Sequence, residues 1–214
     1  MNLINIFVEG PSDKLAMEKL LGNIIAAAAK HGNSINFHPQ EGKKPLLNNG
    51  PKKALNILRN VPESWVFLLP DLYPQNIPFS HTTFSELKNE LERQFSHELH
   101  VKQCEIRLKD RFFVHCFKYD LEALLLASEE SLMKYLGIKT FPSNWTKPVE
   151  NQDHNHPPKR IIENLFKECG KKYKDTIDAP NILENSDYKK LSDRCSQNFK
   201  PFLNDLLRIL QLDF

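Results

Sequence analysis

The chain lacks long apolar runs, paired cysteines and a strong net charge, and each absence excludes a class of protein. No apolar run approaches the ~20 residues that a membrane-spanning helix needs, and no signal peptide precedes the first apolar segment. We therefore expect a cytoplasmic protein with no membrane partner. A formal charge of +2 over 214 residues does not by itself indicate nucleic-acid binding, so only local clusters of basic residues can indicate it.

The cysteines are scattered, with no C-x-x-C pair, at Cys104, Cys116, Cys169 and Cys195. This spacing is typical of free thiols in a reducing compartment, and it excludes a disulfide framework or a cysteine-based zinc site. Hydrophobic residues make up 40% of the chain and charged residues 26%, which is ordinary for a globular protein. The length is sufficient for one sizeable core, or for a core domain with a smaller appendage.

Apolar periodicity predicts strands that alternate with helices over residues 1–138. The predicted strands cover 3–8, 34–38, 65–69 and 112–117, and the predicted helices cover 13–30, 51–59 and 83–99. The polar stretch 41–50, which contains two glycines, is predicted to be a loop. Such alternation indicates an α/β domain with a mostly parallel sheet and flanking helices.

The rest of the chain has a different character. Residues 139–158 are rich in Pro, Asn and His, which predicts a mobile loop or linker. Residues 159–214 show helical periodicity only, which predicts a C-terminal helical region packed on the first domain. One apolar stripe in that region is a candidate docking face for a partner protein, with burial in the core as the alternative; it consists of Phe199, Phe202, Leu206 and Leu210.

Acidic residues follow three of the predicted strands. Glu9 ends the first strand, Asp71 follows the third, and Asp120 and Glu122 follow the fourth. In an open α/β sheet the carboxyl ends of the strands form the crevice where ligands bind. If the chain is still extended at 120–122, both of its acids point to the same face; if a helix has begun, they lie about 200° apart and only one faces the crevice.

Carboxylates gathered in one cleft would repel each other, and a divalent cation would remove that repulsion. Mg²⁺ is commonly held by one or two carboxylates together with water and substrate phosphate, and a pair of such ions promotes phosphoryl transfer. Each acid also has an ordinary alternative: Glu9 as a solvated strand end, Asp71 as a turn residue and Asp120 as a helix cap. For the set as a whole we favour the metal site.

The segment Val8-Glu9-Gly10-Pro11-Ser12-Asp13 resembles the opening motif of TOPRIM domains, the metal-binding fold of topoisomerases, primases and OLD-type nucleases. The resemblance implies that Glu9 is a metal ligand and that Asp13 contributes to the same site or to a second metal. TOPRIM domains carry a D-x-D motif after the third strand. Here Asp71 matches its first Asp, whereas Tyr73 stands in place of the second.

The whole chain also resembles, in order of motifs, the bacterial family domain of unknown function 4276. The corresponding segments are 8–13, the Gly/Lys-rich stretch 40–44, the acidic segment 119–126, and the tail segments 158–160, 173–176 and 195–203. The resemblance implies a TOPRIM-type, Mg²⁺-dependent nuclease that works beside an ATPase in defence against phage.

Basic residues indicate where a nucleic acid would bind. Residues 42–62 contain five basic residues and no acid, and Lys43 and Lys44 stand next to a glycine before a predicted helix. We expect these two lysines to contact phosphate. A second basic stretch, 171–174, includes Tyr173 and is more simply a solvated face.

Together these features predict a nuclease that uses Mg²⁺ or Mn²⁺ to cleave phosphodiester bonds of DNA or RNA. Glu9, Asp71 and Glu122 are the candidate catalytic residues, and Asp13 and Asp120 complete the candidate metal ligands. A partner ATPase or a homo-oligomer is expected, because a free nuclease would endanger its own cell. The alternative is a catalytically weakened TOPRIM-fold module that binds nucleic acid or a partner protein and regulates it.

Overall fold

The computed structural model describes residues 1–212, and within them four strands form one sheet in the order β2-β1-β3-β4. The strands are β1 (Leu3–Val8), β2 (Ser34–Pro39), β3 (Ser64–Leu69) and β4 (Phe112–Val114). All the neighbouring strands of this sheet are parallel. The predicted α/β class with a parallel sheet is therefore confirmed.

The two central strands are buried along almost their whole length, as expected for a parallel sheet covered on both faces. Val8, the last residue of β1, pairs with Pro39 on one side and with Leu69 on the other. The chain therefore leaves β1, β2 and β3 at the same level of the same edge. This register places the residues that follow the strands close together.

Two helices follow β1 where one was predicted over 13–30. They are α1 (Pro11–Leu20) and α2 (Gly22–Lys30), and Leu21 interrupts the helical backbone between them. Glycine is a weak helix former, so Gly22 favours a break at this point. Pro11 suits the first turn of α1, where a backbone N–H would have no partner inside the helix.

The predicted loop 41–50 is wrong, because helix α3 (Lys43–Asn60) already begins at Lys43. Gly50 lies inside this helix, and a Cβ at that position would come within 3.1 Å of both methyl groups of Leu68. The glycine thus permits close packing of the helix on β3 and does not mark a loop. Burial of Leu46 and Leu47 stabilises the first turns, which polarity alone had suggested were irregular.

Helix α4 (Phe84–Val101) and a 3₁₀ turn (Ile106–Arg111) lead into β4, which is shorter than the predicted strand 112–117. Beyond Val114 the chain pairs with the end of β3 through an isolated bridge between Phe117 and Asp71. Helices α5 (Glu122–Ala127) and α6 (Glu129–Leu136) follow.

The segment 139–158 is irregular, apart from a short 3₁₀ turn at Val149–Asn151. Several of its side chains are nevertheless buried, among them Val149, Glu150 and Gln152. The segment therefore packs as a strap against the rest of the molecule. After it come α7 (Pro158–Glu168), α8 (Asp175–Glu184), α9 (Tyr188–Arg194) and α10 (Phe199–Leu210).

Each face of the sheet packs against a different set of helices. One apolar cluster joins α3 and α4 to the sheet, and the other joins α1, α2 and the C-terminal helices to it. The stripe that was the candidate docking face lies inside the second cluster. Its four side chains are at most 2% exposed, and Phe202 packs edge-on against Phe67 of β3 at 5.7 Å.

The docking prediction for this stripe is therefore wrong, because the apolar side of α10 is buried against one face of the sheet. Over residues 1–212, the structure contains no helix that is long and apolar enough to cross a membrane.

Candidate functional site

A pocket opens at the carboxyl ends of the strands. Its walls consist of Glu9, Gly10, Pro11, Ser12, Asp13, Glu41, Gly42, Asp71, Asp120, Leu121, Glu122, Lys159 and Asp175. All the acids that the sequence predicted as metal ligands are in this set. The structure thus brings together predicted acids that are far apart in the sequence, the most distant being Glu9 and Glu122, 113 positions apart. We call this the acid pocket.

Glu9 and Asp13 are held by the tight turn from β1 into α1. The backbone N–H of Gly10 donates to Asp13 Oδ2 at 2.8 Å, which fixes the Asp13 carboxylate at the start of the helix. A negative charge is favourable there, because the backbone N–H groups of the first turn have no partners within the helix. Glu9 Oε1 in turn accepts from the backbone N–H of Asp71 at 2.9 Å, which ties β1 to the end of β3.

Asp71 is held by the end of the sheet itself. The residue forms the bridge to Phe117, and the next residue, Leu72, donates its N–H to the Phe117 carbonyl at 2.7 Å. These contacts continue the β3–β4 pairing beyond the regular strands. They bring the chain that leads to Asp120 to the same edge of the sheet as Asp71.

Asp120 and Glu122 both line the pocket, although α5 has begun by Glu122 and Leu121 already has helical backbone angles. The sequence left open whether one or both of these acids would face the crevice, and in the structure both do. Asp120 precedes the helix, so the helical rotation of 100° per residue does not relate the two side chains. Asp120 Oδ2 accepts from the N–H of Lys159 at 3.3 Å, whereas its buried Oδ1 has no hydrogen-bond partner within residues 1–212.

The C-terminal helical region, including the loop between α7 and α8, contributes three residues to which the sequence had given no role in the site. Lys159 Nζ lies 3.6 Å from Glu122 Oε1 and 3.3 Å from Asp175 Oδ2. The Tyr173 hydroxyl donates to the same Glu122 oxygen at 3.1 Å. Lys159, Tyr173 and Asp175 belong to the tail segments that resemble the family, and that resemblance was the signal that could have identified them.

Burial raises the pKa of the pocket acids. The pKa of Glu9 is raised to about 7, that of Asp13 to about 6 and that of Asp120 to about 8, in each case mainly by burial. Burial and then the Glu9 carboxylate raise the pKa of Asp71 well above its usual value, and burial also raises that of Glu122. Two backbone N–H bonds, to Glu9 and to Asp13, oppose the increase without cancelling it.

Lys159 is a cation on the wall of the acid pocket. Although partial burial opposes the change, Glu122 and Asp175 raise the pKa of Lys159, so the ammonium group stays charged. Burial and the Glu122 carboxylate likewise raise the pKa of the Tyr173 hydroxyl, which therefore stays a hydrogen-bond donor. The pocket thus combines carboxylates, a fixed ammonium group and a neutral hydroxyl donor.

Four helices begin at the wall of the pocket: α1 at Gly10 and Pro11, α3 at Gly42, α7 at Lys159 and α8 at Asp175. Helix N-termini attract anions, because their free N–H groups point outward and the helix dipoles align. Gly42 has φ of 110°, a conformation that favours glycine, and this turn directs the start of α3 to the pocket. An arrangement of this kind favours negatively charged groups at the pocket wall.

Lys43 and Lys44, the predicted phosphate contacts, are not among the described residues that line the pocket. Lys43 is buried, and its Nζ donates to the carbonyls of Leu72 at 2.7 Å and Pro74 at 2.6 Å. Burial lowers the pKa of this ammonium group. Lys43 therefore holds the chain that follows Asp71, and Lys44 is exposed on the first turn of α3.

The acid pocket fits a hard divalent cation in the kind of ligand that it offers. Carboxylate oxygens are the donors that Mg²⁺ and Mn²⁺ prefer, and the buried Asp120 Oδ1 is free to accept. Within residues 1–212, however, no three His, Cys, Asp or Glu side chains are grouped closely enough to hold an ion as they stand. Binding would require the carboxylates to move closer together.

The fold and this pocket define the class: an α/β protein with a parallel sheet and an acidic pocket at the carboxyl ends of its strands. The chain belongs to the family described as Domain of unknown function (DUF4276), which it matches over residues 8–207. The match includes every acid of the pocket and the helices that complete it. Comparisons with curated proteins and with solved structures gave no match.

Proposed function

We propose that the chain is a TOPRIM-type nuclease that uses Mg²⁺ or Mn²⁺ to hydrolyse phosphodiester bonds of DNA or RNA. The observation that supports this proposal most is the convergence of Glu9, Asp13, Asp71, Asp120 and Glu122 on one pocket at the carboxyl ends of parallel strands. So many acids in one place disfavour the metal-free ionised state, as their raised pKa values indicate. A pocket of this kind is suited to a cation and to the phosphate that accompanies it.

In the proposed site, Glu9, Asp71 and Glu122 would hold the cation, and Asp13 and Asp120 would complete the ligand set. A bound divalent cation supplies electrostatic stabilisation of the negative charge that develops on the phosphate oxygens. The protein keeps the ligands in place through two backbone contacts, Gly10 N–H to Asp13 and Asp71 N–H to Glu9. The Tyr173 hydroxyl orients the Glu122 carboxylate in the same way.

Lys159 has a separate role in the proposed mechanism. Its ammonium group lies between Glu122 and Asp175, where it offsets part of the negative charge. The same ammonium group would be placed to donate to an oxygen of a phosphate bound in the pocket. The helix N-termini at Gly10 and Gly42 provide further N–H groups on the same wall.

A second candidate function is a catalytically weakened module that binds nucleic acid or a partner protein and regulates it. The observation that favours it is Tyr73, which stands where the second Asp of a D-x-D motif would stand and offers no carboxylate. Its ring stacks on Tyr119 at 4.6 Å. Asp120 and Glu122 are the residues that would replace the lost ligand in the nuclease proposal.

One experiment separates the two functions. Purified protein is incubated with labelled DNA and RNA oligonucleotides in Mg²⁺, Mn²⁺ or EDTA, and its melting temperature is measured with each metal. A nuclease should cleave only with metal, and metal at 100 times its Kd should stabilise the fold by about 2.7 kcal/mol.

The matched variants are Asp71→Asn in the pocket and Asp110→Asn, an exposed aspartate before the opposite end of β4. Asp71→Asn should lose cleavage, whereas Asp110→Asn should behave as wild type. Binding of the oligonucleotide without cleavage under every condition would favour the regulatory module and contradict the nuclease.

The proposal also includes assembly with a partner ATPase, or with further copies of the chain, in defence against phage. This part rests on the family resemblance. Affinity purification from the native host should recover an ATPase in stoichiometric amount. A monomer that is fully active alone would contradict the assembly.

A further inference from the structure

Three aromatic side chains form a cluster, and two of them belong to segments that also supply acids to the pocket. The rings of Tyr73 and Tyr119 stack with their centroids 4.6 Å apart and their planes at 10°. The imidazole of His154, from the strap 139–158, packs edge-on against both, at 4.7 Å from Tyr73 and 6.2 Å from Tyr119. We call Tyr73, Tyr119 and His154 the aromatic cluster.

The chain connects this cluster closely to the acid pocket. Tyr73 lies two residues after Asp71, and Tyr119 immediately precedes Asp120. Two residues span at most about 7 Å of extended chain, so the backbone of each tyrosine lies within that distance of a pocket acid. A phosphate held by the pocket would place the adjoining nucleotide within reach of the tyrosines.

Hydrogen bonds fix the positions of the two tyrosines. Lys43 Nζ donates to the carbonyls of Leu72 and Pro74, the residues on either side of Tyr73. The hydroxyl of Tyr119 donates to the carbonyl of Gln152, which also anchors the strap two residues before His154. A surface that is ordered in advance costs less entropy when a ligand binds to it.

The cluster is not simply part of the core. Tyr119 is buried and supports the other two rings, Tyr73 is half-buried, and His154 is exposed. The contact between the Tyr73 hydroxyl and His154 Nε2, at 3.4 Å, lies at the surface. The structure thus presents a half-buried tyrosine ring, stacked on Tyr119 through one face only, together with an exposed imidazole.

We propose that the aromatic cluster stacks an unpaired nucleobase, so that the substrate of this site is a single-stranded or locally unpaired nucleic acid. Aromatic rings bind bases of any sequence, because every base has a π-face. Bases inside a duplex are already stacked on their neighbours and are not accessible in this way. The inference rests on the proposed function, and it gives Tyr73 a role in place of the missing Asp.

The test compares binding of two labelled twelve-nucleotide strands, oligo-dT and a strand with the same backbone but abasic sites. Binding is measured by fluorescence anisotropy with Ca²⁺ in place of Mg²⁺, so that cleavage does not interfere. Wild type should bind oligo-dT roughly 5- to 160-fold more tightly than the abasic strand, the range expected for one stacked base. It should also bind oligo-dT more tightly than the corresponding duplex.

The variants separate stacking from charge and from folding. His154→Ala and Tyr73→Ala should lose most of the preference for bases, whereas His154→Phe should retain it, because a phenyl ring still stacks. His31→Ala is the matched control, since His31 is also exposed but lies at the other end of the sheet, before β2. It should leave both affinities unchanged.

Equal affinity of wild type for the two strands would overturn the inference, and so would equal weakening of both strands by His154→Ala. The failure of the inference is distinguishable from that of the proposed function. Metal-dependent cleavage at the same rate for normal and abasic strands would reject the stacking role alone. Base-dependent binding without cleavage would support the stacking role and reject the nuclease.

Discussion

Two regions of this molecule bury carboxylates, and they use them in opposite ways. Glu150, in the strap, is 2% exposed, and its two oxygens accept the N–H groups of Gln197 at 2.7 Å and Asn198 at 2.9 Å, just before α10. In the acid pocket, Asp120 has one long backbone bond, and its Oδ1 has no partner in the part of the chain that the structure describes. One carboxylate is satisfied by the fold, whereas the other remains available to a ligand.

The difference shows how a structural acid can be distinguished from a functional one. Burying a carboxylate is costly unless hydrogen bonds or charges compensate for it. At Glu150 the compensation is complete within the protein, so the residue anchors the strap to α10. In the acid pocket, Asp13, Asp120 and Glu122 share Lys159 as a nearby cation, and burial raises the pKa of all three carboxyl groups. The missing compensation is what a metal ion would supply.

The largest effect should come from removing a pocket charge. Glu9→Gln keeps the shape of the side chain and loses the charge that neutralises a cation, so metal-dependent cleavage should fall by more than roughly 100-fold. The fold should persist, and addition of Mg²⁺ should no longer raise the melting temperature. The matched control is Glu63→Gln, at an exposed position before β3 at the other end of the sheet. Full metal-dependent cleavage by Glu9→Gln would show that the assignment of the site is wrong.

The opposite pattern should appear at Glu150. Glu150→Ala leaves two N–H groups near the start of α10 without their acceptor, and it should destabilise the fold by about 2–4 kcal/mol in urea unfolding. Glu150→Gln retains one acceptor oxygen and should cost less. Metal affinity should be unchanged in both variants. A loss of metal binding without loss of stability would contradict the structural role of Glu150.

The sequence predicted the acids of the pocket better than the contacts that complete it. Glu9, Asp71 and Asp120 each follow an apolar run, and the parallel register of the sheet brings such positions together. Lys159 and Asp175 come from helices whose docking depends on tertiary packing, and no local pattern in the sequence encodes that geometry. Lys43 shows the same limit. The basic stretch around it predicts a phosphate contact, whereas in the structure its Nζ donates to two carbonyls inside the protein.

The same limit explains two incorrect predictions, the loop at 41–50 and the docking face on α10. The stretch 41–50 is polar and contains glycine, yet Gly50 serves close packing on Leu68, which lies 18 positions further along the chain. The stripe of α10 is amphipathic in sequence, and amphipathicity alone does not tell whether a sheet or a partner covers the apolar side. In the structure the sheet covers it, since Phe202 of α10 packs against Phe67 of β3.

The pH dependence of stability should sharpen the comparison. The pKa values of Glu9, Asp13 and Asp120 are raised from 4.5, 3.8 and 3.8 to about 7, 6 and 8, so the folded chain binds more protons than the unfolded chain. The stability that these groups contribute is complete below about pH 4 and is lost as the pH rises through 6 to 8. Without metal, the melting temperature should therefore fall by about 5 °C or more between pH 5 and pH 8.5.

Mg²⁺ should reduce this fall, because a cation replaces the protons that the carboxyls lose. Asp120→Asn should reduce it without metal, because the amide has no proton to lose at these pH values. The comparison of wild type with Asp120→Asn cancels the contributions of other titrating groups. An equal fall in both proteins would mean that Asp120 does not contribute to the pH dependence in this range.

The smallest predicted effect concerns which lysine contacts phosphate. Each phosphate contact with a single strand contributes about 0.7 to the slope of log K against log salt concentration, because counterions are released on binding. Lys159→Gln should therefore reduce the slope for oligo-dT by about 0.7, whereas Lys44→Gln should leave it nearly unchanged, since Lys44 is exposed outside the described wall of the pocket. The slope is obtained from anisotropy titrations between 50 and 200 mM salt, about the range in which phosphate contacts change affinity most. A reduced slope for Lys44→Gln alone would return the phosphate contact to the start of α3, as the sequence had predicted, and would leave Lys159 only as the partner of Glu122 and Asp175.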